Sequence, residues 1–316
     1  MMNLGYPLNC EVLRTENYQL LDVTLRDGGY CNQWCLSENE LLSFTRFLSL
    51  LPLDIIEVGY MSDQNKYGAN GQLSPWSLAQ IKALMPNPPK IAAMLFQDEP
   101  NPVSCLKTRI QYLDLVRVPM RLEDFHQVQA IVEFCNDSNT ECSINITKVS
   151  TYSLDDLLSL VERINSLSVK VIYLADSRGA LYPNIVYETF SALTAKFPEQ
   201  SFGFHAHNNL TLAFMNSVAA VAAGARYLDS SIAGMGMGAG NLITEQLLFH
   251  RYQESEILNS LISTLSHHAP LYELLGLRQE QLKYILSGTL NVAQEDACLA
   301  TELQTIAQKR LRNIRR

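Results

Sequence analysis

Short runs of aliphatic and β-branched residues alternate along the chain with longer amphipathic stretches, at intervals of roughly 25 to 35 residues, as in repeated βα units. Eight of these runs are predicted strands: Gln19–Leu25, Asp54–Gly59, Lys90–Leu95, Leu113–Val118, Glu141–Thr147, Lys170–Ala175, Ser201–His205 and Arg226–Ser230. Helices are predicted between them, among others over Glu38–Leu51, Leu122–Cys135, Leu154–Ser166, Ile185–Phe197 and Leu210–Ala223. Eight strands that alternate with helices predict a closed parallel (β/α)8 TIM barrel, and an open doubly wound sheet is the alternative.

Helical character continues for about 70 residues after the eighth predicted strand, which is more than the last helix of a barrel needs. The helices predicted there are Gln253–Leu265, Pro270–Leu275, Gln279–Leu286 and Glu295–Arg312. We therefore divide the chain into an N-terminal segment (1–18), a barrel domain (19–250) and a C-terminal helical extension (251–316). The extension is expected to cover the barrel mouth or to join copies of the chain in a homo-oligomer.

The composition is that of a globular protein, because 47% of the 316 residues are hydrophobic and 18% are charged. A net charge of −8 and a pI near 5.3 give no general attraction to nucleic acid or to anionic membranes. A basic cluster at residues 309–316 is interpreted as the solvated end of a helix, where cations complement the helix dipole. A small-molecule substrate fits this charge better than a nucleic-acid or membrane partner.

Cysteine usage and the N-terminus predict a cytoplasmic protein. The seven cysteines are scattered and form no CxxC pair, which is typical of reduced thiols. Residues 1–17 lack the basic start and apolar core of a signal peptide. The chain also has no apolar run of about 18 residues, the length that a transmembrane helix needs.

The strongest candidate chemistry is the pair His205 and His207 at the end of the seventh predicted strand. Residues two apart on a strand point to the same face, and the active site of a barrel lies at the carboxyl ends of its strands. Asp27, after the first strand, is the natural carboxylate to complete a metal site. Such a donor set suits Mn²⁺, Mg²⁺, Co²⁺ or Zn²⁺ without choosing among them. Two ordinary core histidines are the alternative for the pair taken alone.

Arg26 and the glycine-rich segment 234–240 each allow two interpretations. Arg26, beside Asp27, must find an anion or a carbonyl oxygen, which would be a substrate enolate or simply the neighbouring carboxylate. The glycine-rich segment 234–240 does not match the dinucleotide fingerprint, so NAD binding is not expected. Its glycines would let the backbone approach a ligand, with Asn241 adding a side-chain oxygen, or would form a flexible turn.

Three segments in this order, Thr24–Gly28, Phe204–Asn209 and Gly236–Asn241, resemble the DRE-TIM metallolyases and among them the 4-hydroxy-2-oxovalerate aldolases. The resemblance extends from about Gln19 to Glu245. It implies a metal, Mn²⁺ in preference, bound by Asp27, His205 and His207, with Asn241 as a further candidate ligand. The 2-oxo acid end of the substrate would chelate the metal, and Arg26 would stabilise the enolate oxygen. Cleavage of a 4-hydroxy-2-oxo acid would release pyruvate and an aldehyde, which some family members pass to an aldehyde dehydrogenase partner.

The chain departs from these aldolases at the general base, because Tyr30 stands where they carry a histidine. A phenol is a weak base at neutral pH, so Tyr30 is a candidate only if its surroundings activate it. Tyr60 and Tyr284 are further candidates for the base and, like Arg26, are expected to contact the substrate. Ser177 and Asn145, at the ends of the sixth and fifth predicted strands, are expected to contact the substrate.

Two other functions stay open at this point. The Claisen-type synthases of the family suggest a 2-oxo acid acyltransferase that needs an acyl-CoA. They usually carry Glu where this chain has Gly29, which counts against this function. HMG-CoA lyase also fits less well, because its catalytic cysteine is absent from the glycine-rich loop. A non-catalytic binding protein on the same barrel would explain Tyr30. Retention of all three metal ligands and Arg26 favours an enzyme, and we rank the aldolase first and the acyltransferase second.

Overall fold

The computed structural model describes residues 9–15, 17–64, 68–85, 89–95, 99–121, 124–253, 256–268, 285 and 287–289. Eight strands form one parallel sheet: β1 (Gln19–Asp22), β2 (Ile55–Met61), β3 (Lys90–Leu95), β4 (Leu115–Met120), β5 (Glu141–Ile146), β6 (Val171–Asp176), β7 (Ser201–Ala206) and β8 (Tyr227–Ser230). They pair in sequence order, and β8 pairs with β1 to close the barrel. The predicted TIM barrel is thus confirmed, and the open sheet is excluded.

The helices of the described residues lie between the strands and after them: α1 (Gly29–Asn32), α2 (Glu38–Leu48), α3 (Pro75–Leu84), α4 (Pro102–Lys107), α5 (Phe125–Asp137), α6 (Leu154–Asn165), α7 (Pro183–Lys196), α8 (Ala213–Ala222), α9 (Thr244–Tyr252) and α10 (Ile257–His267). Side-chain caps fix several starts. Ser37 and Glu40 form a capping box at α2, and the Ser153 hydroxyl accepts from the Asp156 amide at α6. Both helices begin at the residues predicted from the sequence, Glu38 and Leu154.

The barrel interior is apolar at one level and charged at another. Leu21, Val23, Ile55, Ala92, Leu115, Val171, Tyr173 and Tyr227 form a buried cluster separate from the large core between strands and helices. The charged side chains of Glu57, Arg117 and Asp229 are buried as well. Since burying a charge is costly unless it is paired, this second level is where a functional site is to be sought.

The C-terminal extension is described at its beginning, and beyond that only at residues 285 and 287–289. Helix α10 covers most of the predicted Gln253–Leu265, and His268 after it stacks on Phe47 of α2 with ring centroids 4.9 Å apart. The three later predicted helices lie almost entirely outside the described residues, and Tyr284 does so too. Within the described part, no helix combines the length and the apolar character that crossing a bilayer requires.

Candidate active site

Three side chains that the sequence singles out meet at the carboxyl ends of the strands. Asp27 lies in the turn after β1, His205 is on β7, and His207 follows directly after β7. One ligand atom from each lies within 4.8 Å of the other two, and all three residues are buried. The barrel causes this meeting, because β1 and β7 are the two neighbours of β8 in the closed sheet. The arrangement has the residues and the spacing of a metal site.

Hydrogen bonds orient both imidazoles towards a common point. His205 Nδ1 lies 2.9 Å from Asp229 Oδ2, and His207 Nδ1 lies 3.2 Å from the Met237 carbonyl oxygen. The Asp229 carboxylate and the Met237 carbonyl can only accept, so Nδ1 donates in both rings and Nε2 is the nitrogen that faces the site, as in metal-binding histidines. The two Nε2 atoms face each other at 3.2 Å. A cation bound by both nitrogens would account for this close approach.

The protonation states also suit a cation. Burial would raise the pKa of Asp27, but the Arg26 guanidinium and the two histidines outweigh it and lower that pKa to about 2. Burial, together with His205, lowers the pKa of His207 to about 4. At neutral pH the site therefore offers one anionic oxygen and a neutral imidazole, which is the chemistry that a divalent metal needs.

The glycine-rich loop holds Asp27 from the opposite side. Asp27 Oδ2 accepts from Asn241 Nδ2 at 2.8 Å and from the Met237 amide at 3.3 Å. A Cβ on Gly236 would lie 2.4 Å from Asn241 Nδ2 and 2.6 Å from Asp27 Oδ2. Of the two interpretations of this loop, close approach to a ligand is therefore favoured over a flexible turn. Asn241 Oδ1 is buried without a hydrogen-bond partner within the described structure, which is consistent with a ligand oxygen.

Arg26 has its anions within the protein. Its guanidinium pairs with Asp27, and its Nε donates to Glu57 Oε2 at 2.7 Å. The side chain is buried and lines the pocket beside the three candidate ligands. Of the two interpretations of Arg26, the structure therefore contains the ion pair with the neighbouring carboxylate. Because Arg26 also lines the pocket, it can still interact with a negative charge that develops on a substrate.

Sequence reasoning missed the residue that joins the two halves of the site. Arg117, on β4, is fully buried; its Nη1 donates to Glu57 Oε2 at 2.9 Å and its Nη2 to Asp229 Oδ2 at 2.6 Å. Its guanidinium carbon also lies 4.3 Å from the centroid of the Tyr173 ring. Arg117 thus connects Glu57, which holds Arg26, with Asp229, which orients His205. The sequence signal that could have revealed this network is the single charged residue in each of three buried strands, β2, β4 and β8.

The pocket beside these residues has a volume of about 210 Å³, and its walls include Tyr30, Tyr60, Asn145 and Ser177. Tyr30 is 46% exposed and packs edge-on against Trp34, with ring centroids 4.6 Å apart. Tyr60 is buried, and burial raises its pKa well above the ordinary range, so it is a hydrogen-bond donor and not a base. Arg26 and the three candidate metal ligands line the same cavity, whereas Asn241 does not. Apart from those three ligands, the described walls contain no carboxylate and no imidazole that could serve as a base.

A scan against protein families matches residues 118–274 to the HMGL-like family. The match contains two of the three segments that carry the resemblance, Phe204–Asn209 and Gly236–Asn241, and it confirms the resemblance to this family. The match begins on β4 and includes both candidate histidines and the glycine-rich loop.

Two curated relatives carry different activities in their names. The chain is 26% identical over 231 residues to an oxaloacetate decarboxylase of Mycobacterium tuberculosis, a match of 72% of this chain and 68% of the relative. It is also 26% identical over 237 residues to 4-hydroxy-2-oxovalerate aldolase 6 of Rhodococcus jostii, covering 73% and 67%. Among solved structures, the N-terminal domain of a Bacteroides vulgatus protein provisionally named an aldolase superposes with a TM-score of 0.70 at 26% identity, covering 88% of this chain and 95% of that one.

Proposed function

We infer that this chain, which carries an HMGL-like domain at residues 118–274, is a metal-dependent enzyme that breaks a carbon–carbon bond in a 2-oxo acid and releases an enolate. The observation that carries the inference is the convergence of the two imidazole Nε2 atoms and the Asp27 carboxylate on one point, next to a buried arginine and an open pocket. Its preferred form is cleavage of a 4-hydroxy-2-oxo acid to pyruvate and an aldehyde. The aldolase names among its relatives support that form.

Asp27, His205 and His207 would hold the metal, Mn²⁺ in our proposal, and Asn241 Oδ1 is the candidate for a further ligand. When bound, a divalent cation supplies Lewis-acid polarisation of the 2-oxo group. Arg26 adds a fixed positive charge for the oxygen that becomes negative as the bond breaks. Glu57 and Arg117 keep that guanidinium in place, so no reorganisation is needed during the reaction.

The bonds of the cleavage balance without an external oxidant. A base removes the proton of the C4 hydroxyl, the C4–O bond becomes a carbonyl, and the C3–C4 bond breaks. Its electron pair moves into the enolate of pyruvate, which is then protonated at C3. Tyr30 is the candidate to relay the hydroxyl proton because it lines the pocket and is partly exposed to solvent. This first proton transfer is the step for which the chain is least well equipped.

Decarboxylation of oxaloacetate is a second candidate, and a specific observation favours it. Loss of carbon dioxide forms the same pyruvate enolate but removes no hydroxyl proton. A chain with Tyr30 in place of a histidine is suited to such a reaction, and the M. tuberculosis relative is named for it. Both candidates use Arg26 and the candidate metal ligands in the same way.

Exchange of the pyruvate methyl protons for deuterium, followed by NMR, tests the half-reaction that both candidates share. We expect exchange that depends on Mn²⁺ in the unaltered protein and is lost in Asp27→Asn. The matched control is Asp114→Asn, since Asp114 precedes β4 at the opposite end of the barrel and pairs with Lys82. Loss of exchange in both variants would point to a general effect on folding.

Turnover assays then separate the candidates. Pyruvate release from 4-hydroxy-2-oxopentanoate supports the aldolase, and release from oxaloacetate above the rate of free Mn²⁺ supports the decarboxylase. An acyltransferase would instead need acetyl-CoA with a 2-oxo acid. Metal binding without methyl exchange and without any of these activities would contradict the proposed function and favour a binding protein.

A further inference from the structure

Two exposed cations at the β5 and β6 side of the pocket have no carboxylate partner among the residues that the structure describes. Lys148 and Arg178 directly follow the pocket-lining residues Thr147 and Ser177. Within the described residues, neither side chain forms an ion pair or a side-chain hydrogen bond. In a chain with a net charge of −8, two unpaired cations beside a cavity are unusual enough to require an explanation.

The described carboxylates of the neighbouring loops have other roles. Asp124 accepts from Arg121, and Asp176 accepts from the backbone amides of Ala180 and Leu181. Two more, Asp155 and Asp156, lie in the first turn of α6, where they complement the helix N-terminus. Among the residues that the structure describes, no carboxylate of these loops contacts Lys148 or Arg178, so both can take an anion from outside.

Tight turns fix the position of both cations. Lys148 has the left-handed conformation with φ 56°, which non-glycine residues rarely adopt, and its amide donates to Ser177 Oγ at 3.0 Å. Gly179, which follows Arg178, has φ +53°, and a Cβ there would lie 2.7 Å from the Asn209 amide nitrogen. The two loops are therefore held to each other and to the loop after β7. Cations on such turns are better placed for recognition than cations on a free loop.

An unsatisfied polar group lies deeper on the same side. Asn145 is 3% exposed and lines the pocket, and its Oδ1 is buried without a hydrogen-bond partner among the described residues. Asn145 and Thr147 are two apart along the chain and line the same cavity. Asn145, Thr147 and Ser177 therefore form a polar side of the cavity, and the two cations directly follow Thr147 and Ser177 in the sequence.

We propose that Asn145, Thr147, Ser177, Lys148 and Arg178 form a distal subsite, which binds a second anionic group of the substrate, at the end opposite the 2-oxo acid. This rests on the proposed function, which places the 2-oxo acid end at Asp27, His205 and His207. The substrate is then a 2-oxo acid that carries a carboxylate or a phosphate beyond the bond that is broken. A hydroxyl group on the substrate would satisfy Asn145 Oδ1.

The test is calorimetric binding of matched 2-oxo acids to the Mn²⁺-loaded protein. 2-Oxoglutarate and 2-oxopentanoate have the same chain length and differ in a distal carboxylate against a methyl group, and neither has a 4-hydroxyl group to cleave. We expect 2-oxoglutarate to bind about tenfold more tightly, with a preference that shrinks in 0.5 M salt because exposed charges are screened. A 2-oxo-4-phosphonobutanoate arm shows whether the subsite prefers a phosphate-like group.

Lys148→Gln and Arg178→Gln should each reduce the preference about threefold and leave 2-oxopentanoate binding unchanged. Lys170→Gln is the control, since Lys170 precedes β6 at the other end of the barrel and pairs with Glu141. Equal binding of the two acids, or variants that leave their ratio unchanged, would overturn the distal subsite and leave the proposed function standing. Failure of the Mn²⁺-loaded protein to bind either acid would overturn both.

Discussion

Replacement of Arg117 by methionine removes a cation that two buried carboxylates share. Arg117, Glu57 and Asp229 have fully buried side chains, and the two ion pairs have lengths of 2.9 and 2.6 Å. Methionine approximately fills the space of the arginine stem but leaves both carboxylates short of a partner. In the variant, Glu57 would still pair with Arg26, which lies 2.7 Å away, and Asp229 would still contact His205, which lies 2.9 Å away.

The expected loss is about 3 to 5 kcal/mol in the free energy of unfolding at neutral pH, the usual result when one member of a buried ion pair is deleted. The remaining partners, Arg26 and His205, place the expectation near the lower end of that range. A triple variant that adds Glu57→Gln and Asp229→Asn should recover most of the loss, because no buried charge is then left uncompensated.

The pH dependence has a definite sign. In the unaltered protein burial acts to raise the pKa of Asp229, but Arg117 and His205 outweigh it and lower that pKa. Asp229 therefore contributes stability above the unfolded pKa near 3.9, and this is lost as pH falls through the lower folded pKa. Without Arg117, burial dominates and the folded pKa rises. The deficit of Arg117→Met should then be largest at pH 7 to 8 and smaller at pH 5.

Urea denaturation followed by tryptophan fluorescence and circular dichroism measures these differences. Lys82→Met is the matched control, since Lys82 pairs with Asp114 at 2.8 Å but is 42% exposed, and we expect a cost below about 1 kcal/mol. If Arg117→Met costs no more than Lys82→Met, the buried pairs contribute no net stability. A deficit that grows as pH falls would refute the assigned role of Asp229.

Three further predictions concern the candidate metal site. Mn²⁺ at about 100 times its Kd should add about 2.7 kcal/mol to the free energy of unfolding, and EDTA should reverse this gain. A thermal midpoint that is the same with and without Mn²⁺ would contradict the metal site. Gly236→Ala should weaken Mn²⁺ binding at least tenfold in calorimetry by displacing Asn241 and Asp27, whereas Gly288→Ala, with nothing within 4 Å of its new Cβ, should not. Because the pKa of His207 is lowered to about 4, the metal-free protein should gain stability from pH 4 to 6.5, and His207→Gln should flatten that rise in pH-dependent unfolding.

The barrel and the three candidate metal ligands could be predicted because both depend on local patterns. Alternation on β7 places His205 and His207 on one face, whatever the rest of the chain does. Barrel closure then brings that face next to the turn after β1, and closure follows from the count of eight strands. The shifts in strand ends are small, since a strand predicted over Ser201–His205 is observed over Ser201–Ala206.

The ion-pair network could not be predicted because its partners are distant in the sequence. Arg117 is 60 residues from Glu57 and 112 from Asp229. Its pairing depends on the relative register of non-adjacent strands and on which inward position reaches the barrel axis. Sequence patterns identify a charged residue in a buried strand but do not identify its partner.

Charge balance connects this network with the substrate. The ion pairs run in an open series through Asp27, Arg26, Glu57, Arg117 and Asp229, which has two positive and three negative groups and thus one net negative charge. A divalent cation would reverse that charge to one positive, which the carboxylate of a bound 2-oxo acid would neutralise. Any second anionic group on the substrate would then find no counter-charge in this series. In the proposed distal subsite, Lys148 and Arg178, which have no ion pair among the described residues, would provide it.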